Sequence, residues 1–372
     1  MKIVYFTHSL SSCWNHGNAH FLRGILAELI ARGHDVHVHE PHDAWSLKNL
    51  LADAGEMGLA PYRAAYPQLH SAAYGADFDP AEACDGADLV IVHEWTDPAL
   101  VAAIGQLRKR AGRFTLLFHD THHRAVSEPE AIRTFDLSGY DAVLAFGETL
   151  AQVYRRWGWG NRVFVWHEAA DLRVFQPPAQ EGERKGLVWI GNWGDGERTA
   201  EIEEYLLAPA EAAALPLDIH GVRYPPDALA MLKAHGARYR GWAANARVPQ
   251  IFVTHLATAH VPRRFYVEAL PGIPTIRVFE ALACGIPLVS APWRDSEGLF
   301  RMGEDFLVAR DGTEMTRHLR ALAADPALRQ ALVASGLETV RSRHGCSHRV
   351  DELFDILGQI GARTERELQP AS

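Results

Sequence analysis

Basic charge, cysteine pairs and long apolar runs are what this chain has least of. Its formal charge is −9 and its pI near 6.1. No cationic surplus is therefore available for a phosphate backbone or an anionic bilayer, and no nucleic-acid partner is expected. The four cysteines, Cys13, Cys84, Cys284 and Cys346, are far apart and form no C-x-x-C pair. That argues against a disulfide framework and a thiolate zinc site. No apolar run reaches membrane-spanning length, and no G-x-G-x-x-G stands in a nicotinamide-binding context. The opening MKIVYF reads as a β-strand and lacks the longer apolar core of a signal peptide. A cytoplasmic protein without a transmembrane segment is expected.

What the chain does have is length, apolar content and a regular alternation. Its 372 residues, 48% of them hydrophobic, suffice for two domains. Short β-branched or aromatic runs alternate with helical stretches, the pattern of an α/β protein with parallel sheets. Strands are expected at 2–8, 35–40, 88–94, 114–120, 141–148 and 162–168, and again at 186–193, 216–222, 255–261, 286–292 and 305–311. Phe21, Leu22, Ile25, Leu26, Leu29 and Ile30 mark an amphipathic helix that Gly33 ends. Two doubly wound, Rossmann-like domains follow: 1–175 and 186–345, joined by a polar, proline-containing linker at 176–185. A C-terminal helix at 346–361 would pack back on the first domain, and 362–372 reads as a frayed tail.

Four first-half strands end in histidine followed by an acid: His39-Glu40, His93-Glu94, His119-Asp120 and His167-Glu168. In open parallel sheets, ligands bind beyond the carboxyl ends of the strands. The pairs thus mark a candidate rim, although each could merely cap the next helix. Tyr62, Tyr66, Tyr74 and Phe78 could line an acceptor cleft, with core packing as the alternative. Asp77-Phe78-Asp79 spells D-x-D, but Asp79-Pro80 reads as a helix N-cap with proline at the first position.

The strongest signal is PTIRVFEALACGIPLVSAP at 274–292. Thr275 and Ile276 begin a helix whose free N–H groups and positive dipole end suit a pyrophosphate. Arg277 adds a charge-assisted bond, and Glu280 projects from nearly the same face. Its apolar neighbours place that carboxylate near the interior, where the two hydroxyls of a ribose would partner it. An Arg277–Glu280 ion pair is the alternative. A second element, IGNWGDGERTAEIEEYL at 190–206, is a strand, a glycine-rich turn and a helix. Asn192 lies in that turn, and Arg198 would meet the pyrophosphate from the other side or pair with Glu201. Gly17 and Asn18 form a loop that could close over the phosphates. The histidines at 119, 122 and 123 lack a matching carboxylate set, so no metal is expected.

FEALACGIPLVSA resembles the E-A-x-A-x-G-x-P-V-V-A segment of retaining GT-B glycosyltransferases of family four. IRVFEALACG together with IGNWGDGER looks like the spore-maturation (CgeB-like) branch. Weaker matches run in order through most of 1–357, including GNAHFLRGILAELIARGHDV, LLFHD and EAADLRVFQP. The resemblance implies the GT-B fold, two facing domains with a cleft between them. It also implies transfer of a sugar from a nucleoside-diphosphate sugar to an acceptor, with retention at the anomeric carbon; with the pyrophosphate charge assigned to Arg198, Arg277 and the helix start, no metal or other cofactor is expected. Glu280 matches the glutamate that holds the donor ribose. His119 is similar to the histidine that contacts the donor sugar, with a buried, satisfied strand-end histidine as the alternative; Asp120 follows it and could orient it or cap a helix. The family's first glutamate would stand eight residues before Glu280, where this chain has Gly272. A nucleotide-sugar epimerase of the same fold and a non-catalytic nucleotide-sugar-binding protein remain as alternatives.

Overall fold

The computed structural model describes residues 1–177, 182–194 and 196–368. Part of the expected linker, 178–181, and the end of the expected tail, 369–372, lie outside the described residues. The first sheet has seven parallel strands in the order β3-β2-β1-β4-β5-β6-β7. These are β1 (Lys2–Phe6), β2 (Asp35–Pro41), β3 (Ser71–Tyr74), β4 (Leu89–His93), β5 (Thr115–Asp120), β6 (Ala142–Ala145) and β7 (Val163–Val165). The second sheet is also parallel, ordered β10-β9-β8-β11-β12-β13. Its strands are β8 (Leu187–Ile190), β9 (Leu217–His220), β10 (Arg238–Gly241), β11 (Ala257–His260), β12 (Leu288–Ser290) and β13 (Leu307–Val308). Each sheet reverses its winding once, between β1 and β4 and between β8 and β11, so each has a topological switch point. Two strands were not anticipated, β3 and β10, and both are edges.

Parallel central strands are covered on both faces and read as continuous apolar runs; every residue of β4 is buried. The Ala19–Ala31 helix is buried from Ala19 to Leu29. It closes on Gly33 (φ 82°), where the N–H of Gly33 donates to Ile30 and that of His34 to Leu29. The Ile276–Ala283 helix closes in the same way on Gly285 (φ 64°), with the N–H of Ile286 donating to Ala281. Positive φ at the residue after the cap is what glycine supplies in such a motif.

The last helix, Cys346–Leu368, continues past the expected end at 361. It lies against the Ala19–Ala31 helix, where Arg32 pairs with Asp351 at 2.6 Å and His34 stacks on Phe354. Tyr62 and Tyr66 are buried in one core cluster, and Tyr74 and Phe78 pack against another, as the packing alternative expects. Asp79 caps a short helix by accepting from the N–H of Ala81. No described helix is long and apolar enough to cross a membrane.

Candidate active site between the two sheets

The two sheets bring their strand ends to a common interface. Gly17 lies where a Cβ would stand 3.3 Å from Cγ2 of Ile276 and 3.9 Å from a guanidinium nitrogen of Arg277. The loop before the first long helix therefore covers the start of the Ile276–Ala283 helix, whose N-cap residue is Thr275. Asn18 donates to the carbonyl of Thr121 at 3.0 Å, tying that loop to the end of β5. Asn192 spans the interface: its Nδ2 donates to Oδ1 of Asn15 at 2.7 Å, and its Oδ1 accepts from the N–H of Val222.

Glu280 is fully buried, and both carboxylate oxygens have protein partners. Oε1 faces Nδ1 of His20 at 2.9 Å and Nδ2 of Asn245 at 3.5 Å, while Oε2 accepts from Arg277. His20 Nε2 accepts the N–H of Asp171 at 2.8 Å, so its proton is on Nδ1 and points at Glu280. Burial pushes the carboxyl up, but Arg277 and His20 outweigh it and hold Glu280 below the usual range. The Arg277–Glu280 ion pair is thus present. A carboxylate offers about four acceptor directions, so these contacts do not exhaust it.

Arg198 stands at the N-cap of the short Thr199–Ile202 helix, one position before the expected first turn. Its guanidinium is buried and donates to the carbonyls of Val261 at 2.6 Å and Asn192 at 2.7 Å. Burial lowers it to about 10. Glu201, its expected surface partner, pairs with Arg264 instead.

On the facing rim, His119 is buried among Tyr5, Phe21, Trp166 and His93. Its Nδ1 is 2.6 Å from the Tyr5 hydroxyl, and burial lowers it to about 3, so the ring is neutral. Asp120 does not orient it. Successive strand residues point to opposite faces, and Asp120 instead accepts from Tyr154 at 2.6 Å and from the N–H of His122 at 3.0 Å. Burial raises Asp120 to about 6. Glu94, at the end of neighbouring β4, is pushed well up by burial and by Asp120, against the pull of Arg124 at 3.4 Å.

The four His-acid pairs now separate. Glu40 is a structural staple, accepting from the N–H of Leu10 and the hydroxyl of Ser71. Of the other three, His167-Glu168 has a direct contact with the second half. His167 bonds Phe146 O through Nδ1 and faces Glu297 of the second half at 3.1 Å. Buried atoms without a hydrogen-bond partner among the described residues include Glu94 Oε1, His119 Nε2, Glu168 Oε1, His16 Nε2, Asn245 Oδ1 and Asp171 Oδ2. Among the described residues, no group of three or more His, Cys, Asp or Glu is arranged to hold a metal. A cavity of about 600 Å³ lies near Trp157 and Trp159 and is lined by none of the expected site residues.

Residues 198–355 match the family of glycosyl transferase-like proteins. Three solved structures superpose on nearly the whole chain. Sucrose-phosphate synthase from Thermosynechococcus elongatus has a TM-score of 0.65 at 14% identity, covering 98% of this chain and 100% of that one. Anabaena Alr3699/HepE, solved with UDP and glucose, has a TM-score of 0.68 at 12% identity, covering 96% and 100%. An alpha-glucosyltransferase solved with UDP and a 13-mer DNA has 0.68 at 15%, covering 96% and 99%. The fold is GT-B. No curated protein sequence matches the chain.

Within this GT-B frame, sequence reasoning located the helix start at 275–277 and the loop at 17–18. It did not locate His20, Asn245, Arg124, Tyr154 or Glu297. Their partners lie up to 260 positions away, and no local pattern announces such pairings. Glu94 and Glu168 were legible only as members of the strand-end pairs.

Proposed function

We propose that this chain is a glycosyltransferase that moves a sugar from a uridine-diphosphate sugar to an acceptor, with retention at the anomeric carbon and without a metal ion. The observation that carries this reading is the set of buried, partnerless polar atoms where the two strand-end rims meet. A buried polar atom without a partner costs free energy, and Glu94, His119, Glu168 and His16 each hold one. A polyhydroxylated ligand supplies the matching donors and acceptors. Opposite them, the helix start at Thr275–Arg277 and its guanidinium suit a diphosphate. The choice of uridine is supported by the UDP in the HepE and alpha-glucosyltransferase structures.

Transfer forms a bond from the acceptor oxygen to the anomeric carbon and breaks the bond to the diphosphate, which leaves with the electron pair. In a same-face reaction the departing diphosphate takes the acceptor proton. Arg277 and the helix start would stabilise the developing charge, and neutral His119 would position the sugar. The CgeB-like resemblance fits the same activity.

A thermal-shift screen with UDP, UDP-glucose, UDP-galactose and UDP-N-acetylglucosamine tests the donor, since a bound ligand raises the melting temperature by mass action. Turnover of the stabilising donor should persist in EDTA, and proton NMR of the first product should show the donor's anomeric configuration. Absence of any shift would reject the reading. A β-linked product from an α-linked donor would reject retention.

A further inference from the structure

Arg23 carries a full positive charge within the Ala19–Ala31 helix and is only 1% exposed. Its guanidinium serves main-chain carbonyls: Nε donates to Leu10 O at 2.9 Å and a terminal nitrogen to Ser11 O at 3.1 Å. The group lies 4.5 Å from the centroid of the Tyr62 ring. The same two residues are held from the other side by Glu40, which is also buried. Its Oε2 accepts from the N–H of Leu10 at 2.6 Å and from that of Ser11 at 3.4 Å. Two buried charges of opposite sign thus grip one pair of peptide groups. Burying a charge is costly, and apolar residues of similar volume often pack as well or better. Packing alone therefore does not account for the pair.

What the grip fixes is the course of the loop that follows. Cys13 Sγ accepts the N–H of Asn245 at 3.3 Å, and Asn15 Oδ1 accepts from Asn192 Nδ2 at 2.7 Å. The Gly17 carbonyl accepts from Asn245 Nδ2 at 3.5 Å, beside Ile276 and Arg277. Three residues of one loop thus meet the second half, the last of them at the helix start. The turn between is tied by neutral bonds, from Ser12 Oγ to the Ser46 carbonyl at 2.9 Å and from Ser46 Oγ to the Trp14 carbonyl at 2.7 Å. A hydrogen bond with one charged partner is about twice as strong as a neutral one, so Arg23 and Glu40 are the firmer anchors.

We propose that Arg23 and Glu40 are positioning residues for the donor: together they set the loop 10–18 so that Gly17 closes on the helix start at Thr275–Arg277. Both act through the peptide groups of Leu10 and Ser11, not through contact with the donor. The effect on the diphosphate rests on the donor reading given above; the hold on the loop does not.

Cys13 reports on the loop from within it. All four cysteines are free and buried, and Cys84, Cys284 and Cys346 stand in other segments. A buried thiol reacts when its own segment opens. Iodoacetamide labelling read by mass spectrometry, with calorimetry for UDP, compares the wild type with Arg23→Met and Arg23→Lys. In Arg23→Met, Cys13 should react about ten- to a hundredfold faster and UDP bind more weakly by a similar factor, the usual effect of losing charged hydrogen bonds. The other three cysteines should keep their wild-type rates. Arg23→Lys keeps the cation but not the fork that meets two carbonyls, and should fall between. An unchanged rate at Cys13 overturns the proposal. So does equal acceleration at all four cysteines, the mark of a loosened fold, and so does faster Cys13 labelling with unaltered UDP affinity. Should the Arg23 variants fail to fold, Glu40→Gln must show the same selective change at Cys13, and a wild-type rate there overturns the proposal. Failure of the wild type to bind UDP rejects the donor reading itself, and the Cys13 rates then decide the hold on the loop alone.

Discussion

Asp120 and Glu94 occupy adjacent strand ends, both without access to water and both above the ordinary carboxylate range. A carboxyl that titrates higher in the folded chain than in the unfolded one holds its proton more tightly when folded. For Asp120 the folded protein therefore binds more protons than the unfolded one between pH ~4 and ~6, and its contribution to stability falls as pH rises through that window. The loss is on the order of 2–3 kcal/mol. Asp120→Asn removes the titration. In urea unfolding at pH 4.5 and 7.5, the variant should gain stability relative to the wild type at the higher pH. A gap that does not change with pH would count against a buried, elevated Asp120. Such a cost at neutral pH, beside a partnerless Glu94 oxygen, is characteristic of a site shaped by its ligand as well as by folding. Sequence alone paired each of these acids with its histidine, and at Asp120 that pairing was misleading. The alternation of a strand sends neighbours to opposite faces, so adjacency in the chain is distance in space.

Elements were legible where burial imposed a pattern. The central strands, closed on both faces, appear as apolar runs, and the capping glycines stand where the left-handed turn needs them. The two missed strands, SAAY and RYRG, are edges whose residues are partly or wholly exposed. Nothing in their composition separates them from loop, because their pairing is set by the neighbouring strand. Gly272 shows the opposite situation, a single residue that determines the shape of a whole segment. Its φ of 101° is one that side chains rarely adopt, and the Ser296 hydroxyl occupies the space a Cβ would need. Gly272→Ala should therefore cost about 1–3 kcal/mol, read as a lower midpoint in chemical unfolding. Gly272→Ala combined with Ser296→Gly removes the clash but keeps the backbone penalty, so it should recover only part of the loss. Full recovery would show that the contact alone, and not the backbone angle, excludes a side chain there.

At the scale of the whole molecule, two features join the halves: the polar interface of His20, Asn192 and Glu297, and the last helix. Gly24 is the point on which that helix depends. A Cβ there would come 2.5 Å from Sγ of Cys346 and 2.7 Å from Cβ of Asp171. Three segments distant in sequence thus meet at one hydrogen atom. Gly24→Ala should push the last helix away from the Ala19–Ala31 helix, giving faster cleavage within 346–361 by limited proteolysis. Unaltered cleavage would mean that the contact is easily relieved. Beside Gly24, the chain crosses between the halves twice. It passes once on the way from β7 to β8, and again where Ala170 pairs with Gly345 through bonds from Ala170 N to His344 O and from Cys346 N to Ala170 O. One crossing strand would act as a swivel. Two, laid parallel and bonded to each other, are braced like the two plates of a hinge: to twist one half against the other, the bonds between Ala170 and the His344–Cys346 segment would have to break.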